Sequence, residues 1–168
     1  GIHRGVFLYQ TEEVYLKDIY IKPSYAARDS VGNLNVTVKV GGPNRESIGH
    51  SINICILNQN GEAISEGEVE GMIEKSAFYP IIGKGAKLSL SWPAIPVAPW
   101  SAETPNLYTA LVKLISPHGN VIERTELKFG FRDIQVKDKE LLINDKPVLI
   151  KGVNRHDHCD ITGRVLTK

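Results

Sequence analysis

Residues 34–40 read Leu34-Asn35-Val36-Thr37-Val38-Lys39-Val40, and Gly41-Gly42-Pro43 follows at once. Side chains along a strand alternate between two faces, so the four aliphatics share one face and the three polar residues the other. This is the pattern of a half-buried strand that stops at a glycine and proline cluster. Ile52, Ile54 and Ile56 repeat it. That second run ends at Asn58-Gln59-Asn60-Gly61, where Asn-Gly supplies the positive φ angles of a tight hairpin turn and a return strand is expected over residues 62–66.

The same alternation extends in both directions. Residues 16–25 contain β-formers interrupted by Lys22-Pro23. Proline cannot donate to a ladder, so this strand is expected at a sheet edge. Residues 87–92 read as another short strand, after which Pro93, Pro96 and Pro99 mark a stiff extended connection. Tyr108, Ala110, Val112 and Leu114 alternate again, and the turn Ser116-Pro117-His118-Gly119-Asn120 leads to a last strand over residues 121–129. Long helical periodicity is absent. About seven short, turn-separated strands between Asp18 and Arg132 predict an all-β chain with an immunoglobulin-like or fibronectin-like β-sandwich. Trp100 and Tyr108 could offer aromatic faces to a sugar ring. Packing is the stronger reading, because Tyr108 opens a late strand where the tyrosine corner of such sandwiches bonds back to the chain.

After Arg132 the texture changes. Leu141, Leu142 and Ile143 run into the turn cluster Asn144-Asp145-Lys146-Pro147, and Val148, Leu149, Ile150 and Val153 then form a nearly continuous apolar run. Strands buried on both faces read this way, as in parallel barrels. The run ends in the polar cluster Asn154-Arg155-His156-Asp157-His158-Cys159-Asp160, at the strand end where (β/α)8 enzymes assemble their chemistry.

Bulk properties narrow the function classes. The 168 residues suffice for one domain and a small appendage, not for a complete barrel enzyme. Twenty Lys and Arg against 19 Asp and Glu leave a net charge of +1, which gives no footprint for nucleic acid. No apolar run approaches the roughly 20 residues needed to cross a bilayer, so no membrane role is expected. Cys55 and Cys159 lie far apart and form no CxxC pair, which favours a reducing, cytoplasmic compartment. The chain opens on Gly1 without a leader and stops at Lys168 in mid-phrase. Both ends read as cut points, and an upstream signal peptide is left open.

Three stretches together resemble the family 2 glycoside hydrolases, the family of bacterial β-galactosidase and β-glucuronidase. Gly1-Ile2-His3-Arg4-Gly5-Val6-Phe7-Leu8 looks like the exit from that family's amino-terminal sugar-binding jelly roll. Trp100-Ser101-Ala102-Glu103-Thr104-Pro105-Asn106-Leu107-Tyr108, with Gly130-Phe131-Arg132, is similar to its late sandwich strands and the exit into the barrel. Most specific is residues 142–158, which resemble the first barrel strand of β-galactosidases. The resemblance implies three parts: residues 1–12 as jelly-roll tail and linker, 13–133 as the sandwich, and 134–168 as a hairpin and strand that begin a (β/α)8 barrel.

Asn154-Arg155-His156 is the β-galactosidase form, where β-glucuronidases usually carry Gly-Arg-His. The resemblance therefore implies part of a retaining β-galactosidase acting on terminal β-galactosides. A β-glucuronidase or another family 2 glycosidase is the alternative within the family, and a stand-alone immunoglobulin-like binding module the alternative outside it. Departures are Asp157 where Glu is common and Cys159-Asp160 where His-Pro is common; they leave the substrate and the loop shape open.

The resemblance also implies roles. His156 faces the sugar and stabilises the transition state, while Asn154, Arg155, Asp157 and His158 contact substrate or support the loop that does. Retaining glycosidases need two carboxyl groups about 5 Å apart. Asp157 and Asp160 are not that pair, since the resemblance puts both catalytic glutamates on later barrel strands, so the chain alone is expected to be inactive. His156, His158, Cys159 and Asp160 offer ligand types within five residues, but such spacing rarely converges on one ion, and no metal site is assigned. Mg²⁺ and a monovalent cation belong to the implied parent enzyme, with ligands outside these residues, and the parent is expected to be a homo-oligomer. Cut from its barrel, the 148–153 run is expected to invite self-association.

Overall fold

The computed structural model describes residues 6–42, 49–64, 69–72, 87–154, 156, 158–161 and 163. They divide into two units, one of residues 11–148 and one of residues 1–10 with 149–168. The first is built of strands: β1 (Tyr15–Ala26), β2 (Val31–Gly41), β3 (Ser51–Leu57), β4 (Val69–Met72), β5 (Lys87–Pro96), β6 (Tyr108–Ile115), β7 (Val121–Phe129), β8 (Ile134–Lys137), β9 (Glu140–Ile143) and β10 (Lys146–Pro147). One sheet has the order β1-β2-β5, a second the order β4-β3-β6-β7, and β10-β9-β8 make a small third. All pairings are antiparallel.

The alternating runs become the core of a β-sandwich. Leu34, Val36, Val38 and Val40 from β2 are buried, as are Ile52, Ile54 and Ile56 from β3 and Tyr108, Ala110, Val112 and Leu114 from β6. Their polar neighbours on β2 face outward, where Lys39 meets Asp18 and Thr37 meets Ser89. Burying one such aliphatic contributes roughly 1.5–3 kcal/mol, so a one-residue slip of any of these strands is strongly opposed. The sheets also meet along one border, where the Leu16 N–H of edge strand β1 donates to Glu123 Oε2 on edge strand β7 at 2.7 Å.

Two edge strands depart from strict alternation in the same way. In β1 the register shifts between Leu16 and Asp18, and in the β2–β5 pair between Gly32 and Leu34. Each bulge inserts one residue, so Leu16 and Ile19, and likewise Trp92 and Ile95, pack on the core although they lie three positions apart. At the second bulge Ala94 has φ 52°, and its N–H donates to Asn33 Oδ1 at 3.1 Å. The stiff connection expected from Pro93 is therefore replaced by a strand running on to Pro96, because an edge strand at a bulge tolerates a missing donor. Pro23 likewise lies in an edge strand, as its chemistry requires.

Two other expectations shift. The turn after β3 is not the two-residue form: Asn58 N–H donates to Glu62 O at 2.8 Å, Gly61 N–H to Asn58 O at 3.1 Å, and only Gly61 has positive φ, 82°. Asn58 Oδ1 takes the Asn60 and Glu62 amides at 2.9 and 3.0 Å, which stabilises this wider turn. The return starts where expected, with Ala63 bridging Leu57 and the Ile64 N–H donating to Ile56 O at 2.9 Å, but the strand β4 lies further on at Val69–Met72, and residues 65 and 66 lie outside the described ones.

Candidate functional site

Residues 148–154 carry no strand, and Leu149, Ile150 and Val153 are 80%, 74% and 89% exposed. A strand buried on both faces needs a neighbour on either side. Among the described residues no strand pairs with residues 149–154, so their composition has nothing to bury it. The polar cluster follows. Asn154, His156, His158 and Asp160 are exposed and Cys159 is partly buried, while Arg155 and Asp157 lie outside the described residues.

The local order in this cluster comes from one closed loop. Cys159 N–H donates to Gly163 O at 2.7 Å and Gly163 N–H to Cys159 O at 2.8 Å, with Gly163 at φ 70°. Cys159 Sγ lies 3.8 Å from Asp160 Oδ1, a weak thiol contact. Among the described residues no three His, Cys, Asp or Glu come together as metal ligands. What the cluster can offer by itself is an imidazole donor or acceptor at His156 and another at His158.

The aromatic residues of the sandwich are engaged in packing. Tyr108 is buried against Phe131, ring centres 5.1 Å apart and edge to face, and its Oη accepts the Ala98 N–H at 2.8 Å. The guanidinium of Arg132 lies 4.6 Å from the centre of the Trp100 ring. Neither ring is an open platform for a sugar. A cleft of about 410 Å³ does open beside Asn58, Gln59, Asn106 and Lys128. Its amides are spent on the protein, with Gln59 Nε2 donating to Asn106 Oδ1 at 2.7 Å and Asn106 Nδ2 to Pro99 O at 2.9 Å.

Sequence reasoning treated Asn144 as one of a turn cluster and missed its side chain. Asn144 Oδ1 accepts the Asp133 N–H at 2.9 Å and Nδ2 donates to the Trp100 carbonyl at 3.0 Å. The signal was an asparagine at a positive-φ position, whose short amide can also reach backbone.

The description of glycosyl hydrolases family 2 matches residues 14–132, the whole sandwich. The chain belongs to that family. The family 2 TIM barrel domain matches residues 134–168, which covers the hairpin and the polar cluster. A β-galactosidase of Streptococcus thermophilus is 32% identical over 168 residues, all of this chain and 15% of its own length. One from Clostridium acetobutylicum is 33% identical over 168 residues, all of this chain and 17% of its own. This family 2 chain thus spans about a sixth of the length of those relatives. Among solved structures, a Bifidobacterium dentium β-glucuronidase complexed with coumarin-3-O-glucuronide aligns with a TM-score of 0.74 and 26% identity, over 92% of this chain and 24% of its own. A Parabacteroides merdae β-glucuronidase aligns with a TM-score of 0.70 over 92% of this chain and 18% of its own, and at 21% identity it speaks to the fold alone.

Proposed function

We propose that these residues are the sandwich and the opening of the catalytic barrel of a retaining β-galactosidase, which hydrolyses terminal β-galactosides. The observation that carries this is end-to-end similarity, at 32–33% identity, to proteins named β-galactosidase. In this reading residues 13–133 dock the barrel against an amino-terminal sugar-binding domain, to which residues 1–12 belong, and both catalytic glutamates come from sequence beyond this stretch. Cytoplasmic location and a homo-oligomeric parent are part of the same reading.

His156 acts on the sugar. An imidazole nitrogen that accepts from a sugar hydroxyl holds it more tightly as positive charge develops at the anomeric carbon, because the hydroxyl becomes more acidic, and a bond that strengthens only then lowers the barrier. Asn154, Arg155, Asp157 and His158 contact substrate or hold the loop. Mg²⁺, which belongs to the parent in this reading, prefers several oxygen ligands in octahedral geometry. The described residues of the cluster do not fit it, since no three ligand groups converge.

The second reading is a β-glucuronidase, favoured by the fold alignment to the Bifidobacterium dentium enzyme. The test is turnover of aryl β-galactoside and aryl β-glucuronide by the longer polypeptide that contains this chain. Cleavage of the galactoside alone is expected, and His156→Ala should lower kcat on the order of 100-fold, the scale of losing one hydrogen bond made in the transition state. Preferred cleavage of the glucuronide would overturn the galactosidase reading, and an unaltered kcat would remove His156 from the site.

A further inference from the structure

Past the sandwich the chain makes a three-stranded meander, β8 to β10. Its turns are Asp138-Lys139, with φ 50° and 68°, and Asn144-Asp145, with φ 53° and 62°. Paired positive φ angles are what a two-residue hairpin demands, and such a turn asks nothing of its side chains beyond tolerating the backbone. Asn144 does more. Besides the two side-chain bonds to Asp133 and Trp100, its own N–H donates to Asp133 O at 3.0 Å. One residue at the tip of the meander is thus tied to two stretches of the sandwich, the exit after Phe131 and the segment before β6.

The anchor is itself fixed. Trp100 N–H donates to Phe131 O at 2.8 Å, its ring lies under Arg132, and a Cβ added to Gly130 would fall 2.7 Å from Trp100 Cβ. Phe131 is fully buried. Strands of two to four residues are marginal alone, so the meander needs such an attachment to hold one geometry. Four residues beyond Asn144, the Val148 N–H donates to Leu141 O at 2.9 Å, and with Val148 the unit of residues 11–148 ends.

We infer that Asn144 is a positioning residue: it clamps the β9–β10 turn to the sandwich and so fixes the point at which the chain leaves Val148. The clamp stands on geometry alone. Its consequence for turnover rests on the glycosidase reading.

Two substitutions separate the clamp from the turn. Glycine suits positive φ better than any other residue, so Asn144→Gly relaxes the backbone and deletes only the side-chain bonds. Asn144→Asp keeps an acceptor for Asp133 N–H and loses the donor to Trp100 O. In the 168-residue chain, amide hydrogen exchange at Asp133 and Val148 should quicken about ten-fold in Asn144→Gly, the effect of two lost hydrogen bonds, and less in Asn144→Asp. Exchange at Ile54 and Val112 in the core should not change. Unchanged exchange at Asp133 in Asn144→Gly would overturn the clamp.

In the longer polypeptide, Asn144→Gly should lower kcat per folded enzyme by about ten-fold or more, with a smaller change in KM and an unaltered melting temperature of the sandwich. Faster exchange with an unaltered kcat, while His156→Ala still lowers kcat, would sink the positioning role and leave the site reading intact. If His156→Ala also leaves turnover unaltered, the site reading fails and takes the positioning role with it, while the exchange result still decides the clamp.

Discussion

Tyr108 Oη accepts the backbone N–H of Ala98 at 2.8 Å, across the turn that brings the chain from β5 into β6. The ring is buried against Phe129 and Phe131, so the hydroxyl is aimed by packing on one side and by the amide on the other. Tyr108→Phe keeps the ring contacts and frees the Ala98 amide. Ala98 is exposed and can bond water instead, so the expected loss is the net value of one hydrogen bond, about 1 kcal/mol. Urea unfolding measures it, and a loss below a few tenths would mean the corner bond adds nothing.

Gly32 illustrates a steric requirement. A Cβ at this buried position would fall 2.5 Å from Phe131 Cδ1 and 2.8 Å from Val97 Cγ2. Gly32→Ala should cost about 1–3 kcal/mol by overpacking. Gly61→Ala meets nothing within 4 Å, and its cost of about 1 kcal/mol comes from φ 82° alone. Phe131→Leu should therefore recover part of the Gly32→Ala loss and none of the Gly61→Ala loss. Equal rescue of both in thermal melts would contradict the assignment.

The sandwich was legible wherever a strand keeps one unbroken face. Leu34 to Val40, Ile52 to Ile56 and Tyr108 to Leu114 hold a strict period of two, and all become core. The sequence was silent where a bulge resets the period: Trp92 and Ile95 share a face at a spacing of three, which reads as the end of a strand. The return after β3 was legible as far as Ile64, but the form of its turn was not, because Asn58 bonds its own neighbours and widens the two-residue turn that Asn-Gly suggested. For the site, residues 148–153 advertise a doubly buried strand, but strand pairing is non-local and composition carries no address for the partners. Asn144 was visible as a turn residue only, since its bonds reach back 11 and 44 positions.

Asp18 and Lys39 face each other on the outer surface of β1 and β2 at 2.7 Å. The hydrogen bond from Lys39 first, and its charge second, hold the Asp18 carboxyl below its ordinary 3.8. A depressed folded-state value means the pair stabilises above the unfolded-state value, and this is lost as pH falls through the folded one. Both groups are about half exposed, so the effect is small and screened by salt. The stability difference between the wild type and Lys39→Met should thus be present near about pH 6, fade below about pH 4, and shrink in about 1 M salt. A difference that grows on acidification would refute the assignment.

Leu149, Ile150 and Val153 stand in solvent, and so do Phe7 and Leu8. Contiguous apolar side chains in water lower their free energy by meeting one another, and a second copy of the same residues is the nearest apolar partner in a pure solution. The 168-residue chain should therefore gain mass with concentration in light scattering. The double variant Leu149→Glu with Ile150→Glu should stay closer to a monomer. Its sandwich should melt at the same temperature, because neither residue belongs to the buried core. A wild-type chain that remains strictly monomeric at high concentration would show that this run carries no drive to associate.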